Sequence, residues 1–156
     1  MIKVQQDDFD IAAELAALSA GNRDIGAVVS FVGLVREMVG EAKLAAMTLE
    51  HYPEMTERKL AEIEAEANAR WPLEASLIIH RYGRLEPGEQ IVLVACASAH
   101  RQAAFDACNF LMDWLKTEAP FWKLEETDAG TAWVESRASD DAAAARWKAK
   151  PDRAAE

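Results

Sequence analysis

Two apolar, β-branched runs, Ser76–Tyr82 and Gln90–Ala97, stand on either side of LEPGE (Leu85–Glu89), whose Pro-Gly pair is a turn signal. Together they read as an antiparallel hairpin with a loop between its strands. A helical pattern over residues 99–118 follows at once and is stopped by Pro120. Strand, turn, strand and returning helix leave little freedom for the rest of the chain. Further strand candidates are Ile2–Gln5 at an edge, Ile25–Val35 in the core and Leu44–Tyr52. Phe121–Thr127 and Thr131–Ser136 flank an Asp-Ala-Gly turn as a second hairpin. Helices are expected after Asp10, with Ile11, Leu15 and Leu18 in step and Gly21 at the end, and from Pro53 to Pro72. In the second, Leu60, Ile63 and Ala67 share a face, and Glu54, Glu57, Arg58, Glu62, Glu64 and Glu66 supply the polar ones. Ser139 reads as the cap of a short last helix, and Met38–Lys43 as a mobile loop without a pattern. Strands and helices mix without regular βαβ alternation, so the class is α+β. A chain of 156 residues suits one domain, placed at 1–147, with 148–156 as a flexible tail.

Composition narrows the function. With 51% hydrophobic and 28% charged residues the chain suits a soluble globular protein. The N-terminus has neither the basic start nor the apolar run of a signal peptide, and no apolar stretch approaches the roughly 20 residues of a bilayer span. The expected location is the cytoplasm, with no membrane partner. A net charge of -10 argues against nucleic acid, which calls for a basic face. Cys96 and Cys108 fit neither a disulfide framework nor a zinc site and read as buried structural thiols. His51, His80 and His100 are scattered without ligand spacing, so no metal or cofactor is expected.

Against this acidic background, residues 98–123 bracket a helix with basic groups: His100 and Arg101 at its start, Lys116 near its end, Lys123 just beyond. On a helical wheel Arg101, Phe105, Cys108, Met112 and Leu115 form one stripe with Lys116 at its edge, and the apolar members are expected to pack on the sheet. Ser98 is the expected cap, leaving backbone N–H groups near His100 and Arg101 for an anion such as phosphate or carboxylate. A plainer reading stands beside each: Lys116 suits the helix dipole as a solvated charge, His100 a helix start, and Arg36 a surface position. Lys123 lies between Phe121-Trp122 and a strand, where desolvation would favour use as acid, base or nucleophile. Arg101 and Lys116 are fifteen residues apart, roughly 22 Å along a straight helix. If both ends serve one reaction centre, two copies of the chain must supply them across a dimer interface.

Eight stretches extend this picture: GAVVSFVGLVR (Gly26–Arg36), LEHYPEMTE (Leu49–Glu57), RWPL (Arg70–Leu73), IHRYGRLEPGE (Ile79–Glu89), SAHR (Ser98–Arg101), MDWLK (Met112–Lys116), APFWK (Ala119–Lys123) and WVESR (Trp133–Arg137). On these residues the chain resembles the catalytic, large subunits of molybdopterin synthase nearly throughout, up to Trp147. LEHYPEMTE, SAHR and APFWK in this order are highly specific. The resemblance implies an α/β hammerhead-type α+β domain with a mostly antiparallel sheet. It also implies a sulfurtransferase that converts cyclic pyranopterin monophosphate to molybdopterin in molybdenum cofactor biosynthesis. Sulfur would arrive as a thiocarboxylate on the Gly-Gly C-terminus of a small ubiquitin-like carrier subunit, in a heterotetramer built on a central homodimer.

Carried over residue by residue, the resemblance implies a substrate pocket at Leu34, Val35 and Arg36, His100 and Arg101, Lys116, and Lys123, Leu124 and Glu125. Phe31, Met112 and Arg137 match further pocket positions. Arg36, His100 and Arg101 suit a cyclic phosphate, and Phe31 and Met112 suit the walls of a flat pterin. Lys116 and Lys123 are the expected catalytic pair, Lys123 as acid or base at the substrate and Lys116 nearest the carrier's C-terminus. The competing reading is a non-catalytic module that binds a ubiquitin-like protein or an anion without chemistry.

Overall fold

The structure is a computed structural model and describes residues 1–134 and 138–148. Its elements in chain order are β1 (Ile2–Gln5), α1 (Ile11–Ser19), β2 (Ala27–Leu34), β3 (Met38–Val39), β4 (Ala42–His51), α2 (Met55–Arg70), β5 (Leu73–Arg81), β6 (Gly83–Leu85), β7 (Gln90–Ser98), α3 (Arg101–Thr117), β8 (Phe121–Thr127), β9 (Gly130–Val134) and α4 (Ala138–Ala145). This is the α+β fold expected, built on two sheets. One has the order β1-β5-β7-β2, and the other runs β3-β4-β8-β9 with β6 also paired to β4. All pairings are antiparallel except β1 with β5.

The central hairpin forms as β5 against β7, with Ile78 opposite Val94 and His80 opposite Val92. Its connection is more than a loop. After Tyr82 the chain leaves the first sheet, and Gly83–Leu85 pairs with Met47–Leu49 of β4 in the second. Gly83 takes a positive φ of 91° at this crossing, where a side chain would be strained. Both faces of β5 and β7 are covered, so both strands read as continuous apolar runs. Ile78, Val92, Val94 and Cys96 pack under α2 and α3 with Leu60, Ile63, Ala67, Ala107 and Leu111. Leu77, Ile79, Leu93 and Ala95 pack on the other side with Phe9 and α1. Arg81 is buried, yet its guanidinium donates to the Gln6 and Gln90 carbonyls at 2.9 Å each, as a buried charge must.

The helix starts differ from expectation in instructive ways. Asp10 caps α1, accepting from the Ala13 N–H at 3.0 Å. Pro53 precedes α2 by two residues instead of opening it, and Glu54 between them adopts φ 63°. Ser98 does not cap α3: it is the fully buried last residue of β7, where its hydroxyl donates to the Pro72 carbonyl at 2.8 Å. His100 takes the cap position without a side-chain bond. The buried face of α3 is Ala104, Ala107, Cys108, Phe110 and Leu111, and Phe105, expected on the sheet, is 52% exposed. The buried face is turned by about one residue from the expected stripe, because Ala104 and Ala107 permit close packing on the sheet. Ser139 lies within α4, not before it. Residues 38–43 form a tight hairpin, not a mobile loop: Met38 pairs with Lys43 and Val39 with Ala42, and Gly40 turns at φ 62°. Leu44, 2% exposed, anchors this hairpin in the core of the second sheet with Val35, Leu49 and Leu85. Ser136 and all of the expected tail except Lys148 lie outside the described residues.

Gly26 ties the start of β2 to the β7–α3 junction through its N–H on the Ser98 carbonyl, 3.0 Å away. A Cβ there would lie 2.3 Å from the Ala99 carbonyl oxygen. Gly26→Ala is expected to destabilise the fold by about 1–3 kcal/mol, the usual cost of overpacking. Urea unfolding followed by circular dichroism reads it, and an unchanged midpoint contradicts it.

Candidate active site

The strand register and the return of α3 sort the candidate residues into two groups. β2 runs antiparallel to β7, so Ala27 faces Ser98 and Leu34 faces Gln90. α3 starts just past the end of β7 and packs back over β7 and β2. Its last turn therefore lies toward the start of β7. Leu34, Val35, Arg36 and Lys116 belong to this end, and His100 and Arg101 to the other.

At the first end, Leu34 is 53% exposed and Val35 is buried. Val35 is pinned on both sides, its N–H donating to the Glu89 carbonyl at 2.9 Å and its carbonyl accepting from the Gly88 N–H at 2.8 Å. This fixes the backbone from which the exposed Arg36 departs. Lys116 projects from the last turn of α3 and is exposed. Lys123 is half-buried as the third residue of β8, opposite Leu49 of β4 and Val134 of β9. Glu125 lies two residues on, opposite Met47, while Leu124 points to the other strand face. Phe31 shares a strand face with Val29 on the side of β2 covered by α3, and Met112 packs against that core from α3. Arg137 lies outside the described residues.

Near the start of β8 lies a histidine without metal-ligand spacing. His80 is fully buried in β5, and its ring lies on Phe121 with centroids 3.7 Å apart and planes inclined by 15°. Burial pushes its pKa down to about 4 against a backbone bond to Arg81 that raises it, and the charges of Lys123, Lys116 and His51 push it lower. His51, the last residue of β4, stands 4.4 Å from Tyr82 and 6.0 Å from Phe121, ring centre to ring centre. His80, His51, Tyr82 and Phe121 thus form one patch of imidazole and aromatic rings, and the charges of Lys116 and Lys123 both act on it. Metal-ligand spacing could not reveal it. A histidine inside the otherwise apolar SLIIH run was the available signal.

At the second end, His100 and Arg101 are exposed at the uncapped start of α3. The helix runs unbroken from Arg101 to Thr117, so the roughly 22 Å between Arg101 and Lys116 stands. No single small molecule spans it.

A model of the MoaE protein family matches residues 4–118. The chain belongs to the MoaE family. The molybdopterin synthase catalytic subunit of Pseudomonas aeruginosa is 63% identical over 147 residues, covering 94% of this chain and 98% of that protein. A solved MoaE protein from Burkholderia ambifaria superposes with a TM-score of 0.82 at 55% identity, covering 96% of this chain and 98% of its own. The crystal structure of molybdopterin synthase from Staphylococcus aureus matches with a TM-score of 0.79 at 32% identity, over 85% of this chain and 96% of that one. These MoaE relatives bear out both the resemblance and the fold.

Cys96 and Cys108 of this MoaE-family chain are free and buried, side by side between β7 and α3. The neighbouring Cys108 thiol and burial both push the Cys96 thiol up, which keeps it protonated and suits a structural role.

His80 makes stability depend on pH. The unfolded chain protonates this ring near 6.5 and the folded chain only near 4. Below pH 6.5 the unfolded state binds the additional proton, so stability falls as pH drops from 6.5 to about 4 and then levels. His80→Phe is expected to flatten that decline. Urea midpoints measured from pH 7 to pH 4 check it, and equal declines in both proteins contradict it.

Proposed function

We propose that the lysine end of this chain carries out the sulfur transfer of molybdopterin synthase, with Lys116 and Lys123 as its catalytic pair. MoaE-family membership makes the chain a molybdopterin synthase catalytic subunit, a sulfur-transferring enzyme of molybdenum cofactor biosynthesis. Its substrate in this reading is cyclic pyranopterin monophosphate. The sulfur donor is the thiocarboxylated Gly-Gly C-terminus of a small ubiquitin-like carrier subunit. The observation that carries the reading is that α3 returns Lys116, on its last turn, to the start of β8, whose third residue is Lys123.

Each transfer needs protons moved. Thiocarboxylate sulfur attacks the pterin side chain, the cyclic phosphate opens as its C–O bond breaks, and water then hydrolyses the resulting thioester, leaving the sulfur on the pterin and releasing the carrier as a carboxylate. Lys123, half-buried on β8, acts as acid or base at the substrate. Lys116, more exposed, sits nearest the carrier's C-terminus. Phe31 and Met112 offer apolar walls to the pterin, and Leu34, Val35, Leu124 and Glu125 complete the pocket with Arg137.

The phosphate clamp is the second half of the reading. Arg36, His100 and Arg101 are the anion-binding groups, and His100 and Arg101 sit at the far end of α3 from Lys116. A homodimer resolves the distance if the His100–Arg101 end of one copy completes the Lys116–Lys123 end of the other. One carrier at each end then gives the heterotetramer. We place the chain in the cytoplasm, and no helix among the described residues is long and apolar enough to cross a membrane.

Lys123→Ala and Lys116→Ala are each expected to slow product formation by about 100-fold or more, in the range for loss of a positioned proton donor or acceptor. Molybdopterin fluorescence after oxidation, with thiocarboxylated carrier and precursor supplied, reads the rate. Near-normal rates in both variants remove the lysines from the mechanism. No product from the unaltered chain with authentic carrier favours the non-catalytic module.

A further inference from the structure

The lysine pair leaves one group unaccounted for, the imidazole on which both charges act. A leucine at position 80 would fill the same space without burying a polar ring. The charges that act on His80 are those of Lys123 from β8, Lys116 from α3 and His51 from β4, and the Arg81 carbonyl is bonded to its Nδ1 at 2.9 Å. None of these is an anion that would balance a charged imidazole. Nδ1–H donates to that carbonyl, so the neutral tautomer carries its lone pair on Nε2. What the ring does visibly is stack. Its partner Phe121 is the first residue of β8, and Lys123 follows two residues later on the same strand face.

The chain between the two lysines is only Thr117–Trp122, a turn held by bonds from Glu118 N–H to the Trp114 carbonyl and from Phe121 N–H to the Ala119 carbonyl, both 2.8 Å. The Thr56 hydroxyl donates more weakly to the Pro120 carbonyl at 3.4 Å. The Phe121 ring is where this turn meets the first sheet. We propose that His80 is a positioning residue: its stack on Phe121 fixes the start of β8 and so aims Lys123 relative to Lys116. The inference rests on the reading that these lysines do the chemistry. His80 touches neither reacting atom, and its effect passes through Phe121.

The test compares His80→Phe, which keeps a flat ring, with His80→Leu, which keeps volume but cannot stack face to face. Phe121→Leu removes the other half of the stack from the second sheet, and remains informative if His80→Leu does not fold. His80→Leu and Phe121→Leu are each expected to lower kcat about 10-fold or more with KM changed less than about 3-fold, the signature of misplacement in place of lost binding. His80→Phe is expected to restore most of kcat. A second readout needs no activity: trace acylation of lysines across pH 7–11 on the folded protein, with Lys43 and Lys59 as references. Both leucine variants are expected to change the acylation profile of Lys123 while leaving the references in place. Full kcat in both leucine variants overturns the proposal, as does a loss of kcat with an unaltered Lys123 profile or no rescue by phenylalanine. If Lys123→Ala is slow while the leucine variants run at full rate, this inference alone fails. If Lys123→Ala is itself near normal, the catalytic reading fails, and the acylation profiles still decide whether His80 positions Lys123.

Discussion

The antiparallel pairing of β5 with β7 decides where the other elements of this chain can go. Both strands are buried on both faces, so helices must cover both sides: α1 on one, α2 and α3 on the other. β7 ends at the α3 start and forces the helix back across the sheet, carrying Lys116 to the end where β2 releases Leu34 and Arg36. β5 runs past Arg81 into β6 and hands the chain to the second sheet, beside the strand that pairs with β8. Lys123 reaches the neighbourhood of Lys116 through that handover. The site is a by-product of one hairpin belonging to two sheets.

Much of this was legible in the residues. The apolar runs and the Pro-Gly turn marked β5 and β7, and Asp10, Gly21 and Pro72 bounded their helices correctly. The α+β class followed from the order of elements. What pattern missed were features set by long-range pairing. β6 is three residues long and polar in part, and only its bonds to β4 make it a strand. The 38–43 hairpin draws its stability from Leu44 in the core and a left-handed Gly40, neither of which has a periodicity. Ser98 looked like a cap because it precedes a helix, yet its hydroxyl donates to Pro72, distant in sequence, and accepts only a long bond from the His100 N–H ahead of the helix.

The candidate site divides in the same way. The basic residues could be picked out, and the length of α3 alone separated Arg101 from Lys116. Phe31, Met112 and the 34–36 segment stood out only through the family motifs, which spacing does not supply. His80 escaped both routes. A lone histidine in an apolar strand offers no ligand pattern, and its stack on Phe121 joins residues 41 positions apart in different sheets.

The central claim is that each reaction centre takes its lysines from one copy of the chain and its His100–Arg101 clamp from another. Subunit mixing tests it most directly. Arg101→Ala and Lys116→Ala chains, each expected to be slow alone, are unfolded together, refolded together and assayed with thiocarboxylated carrier and precursor. A shared site predicts recovered activity, because every mixed dimer contains one centre with both groups intact while its other centre lacks both. No recovery in mixtures shown to contain mixed dimers would contradict the account and confine the chemistry to residues of a single chain.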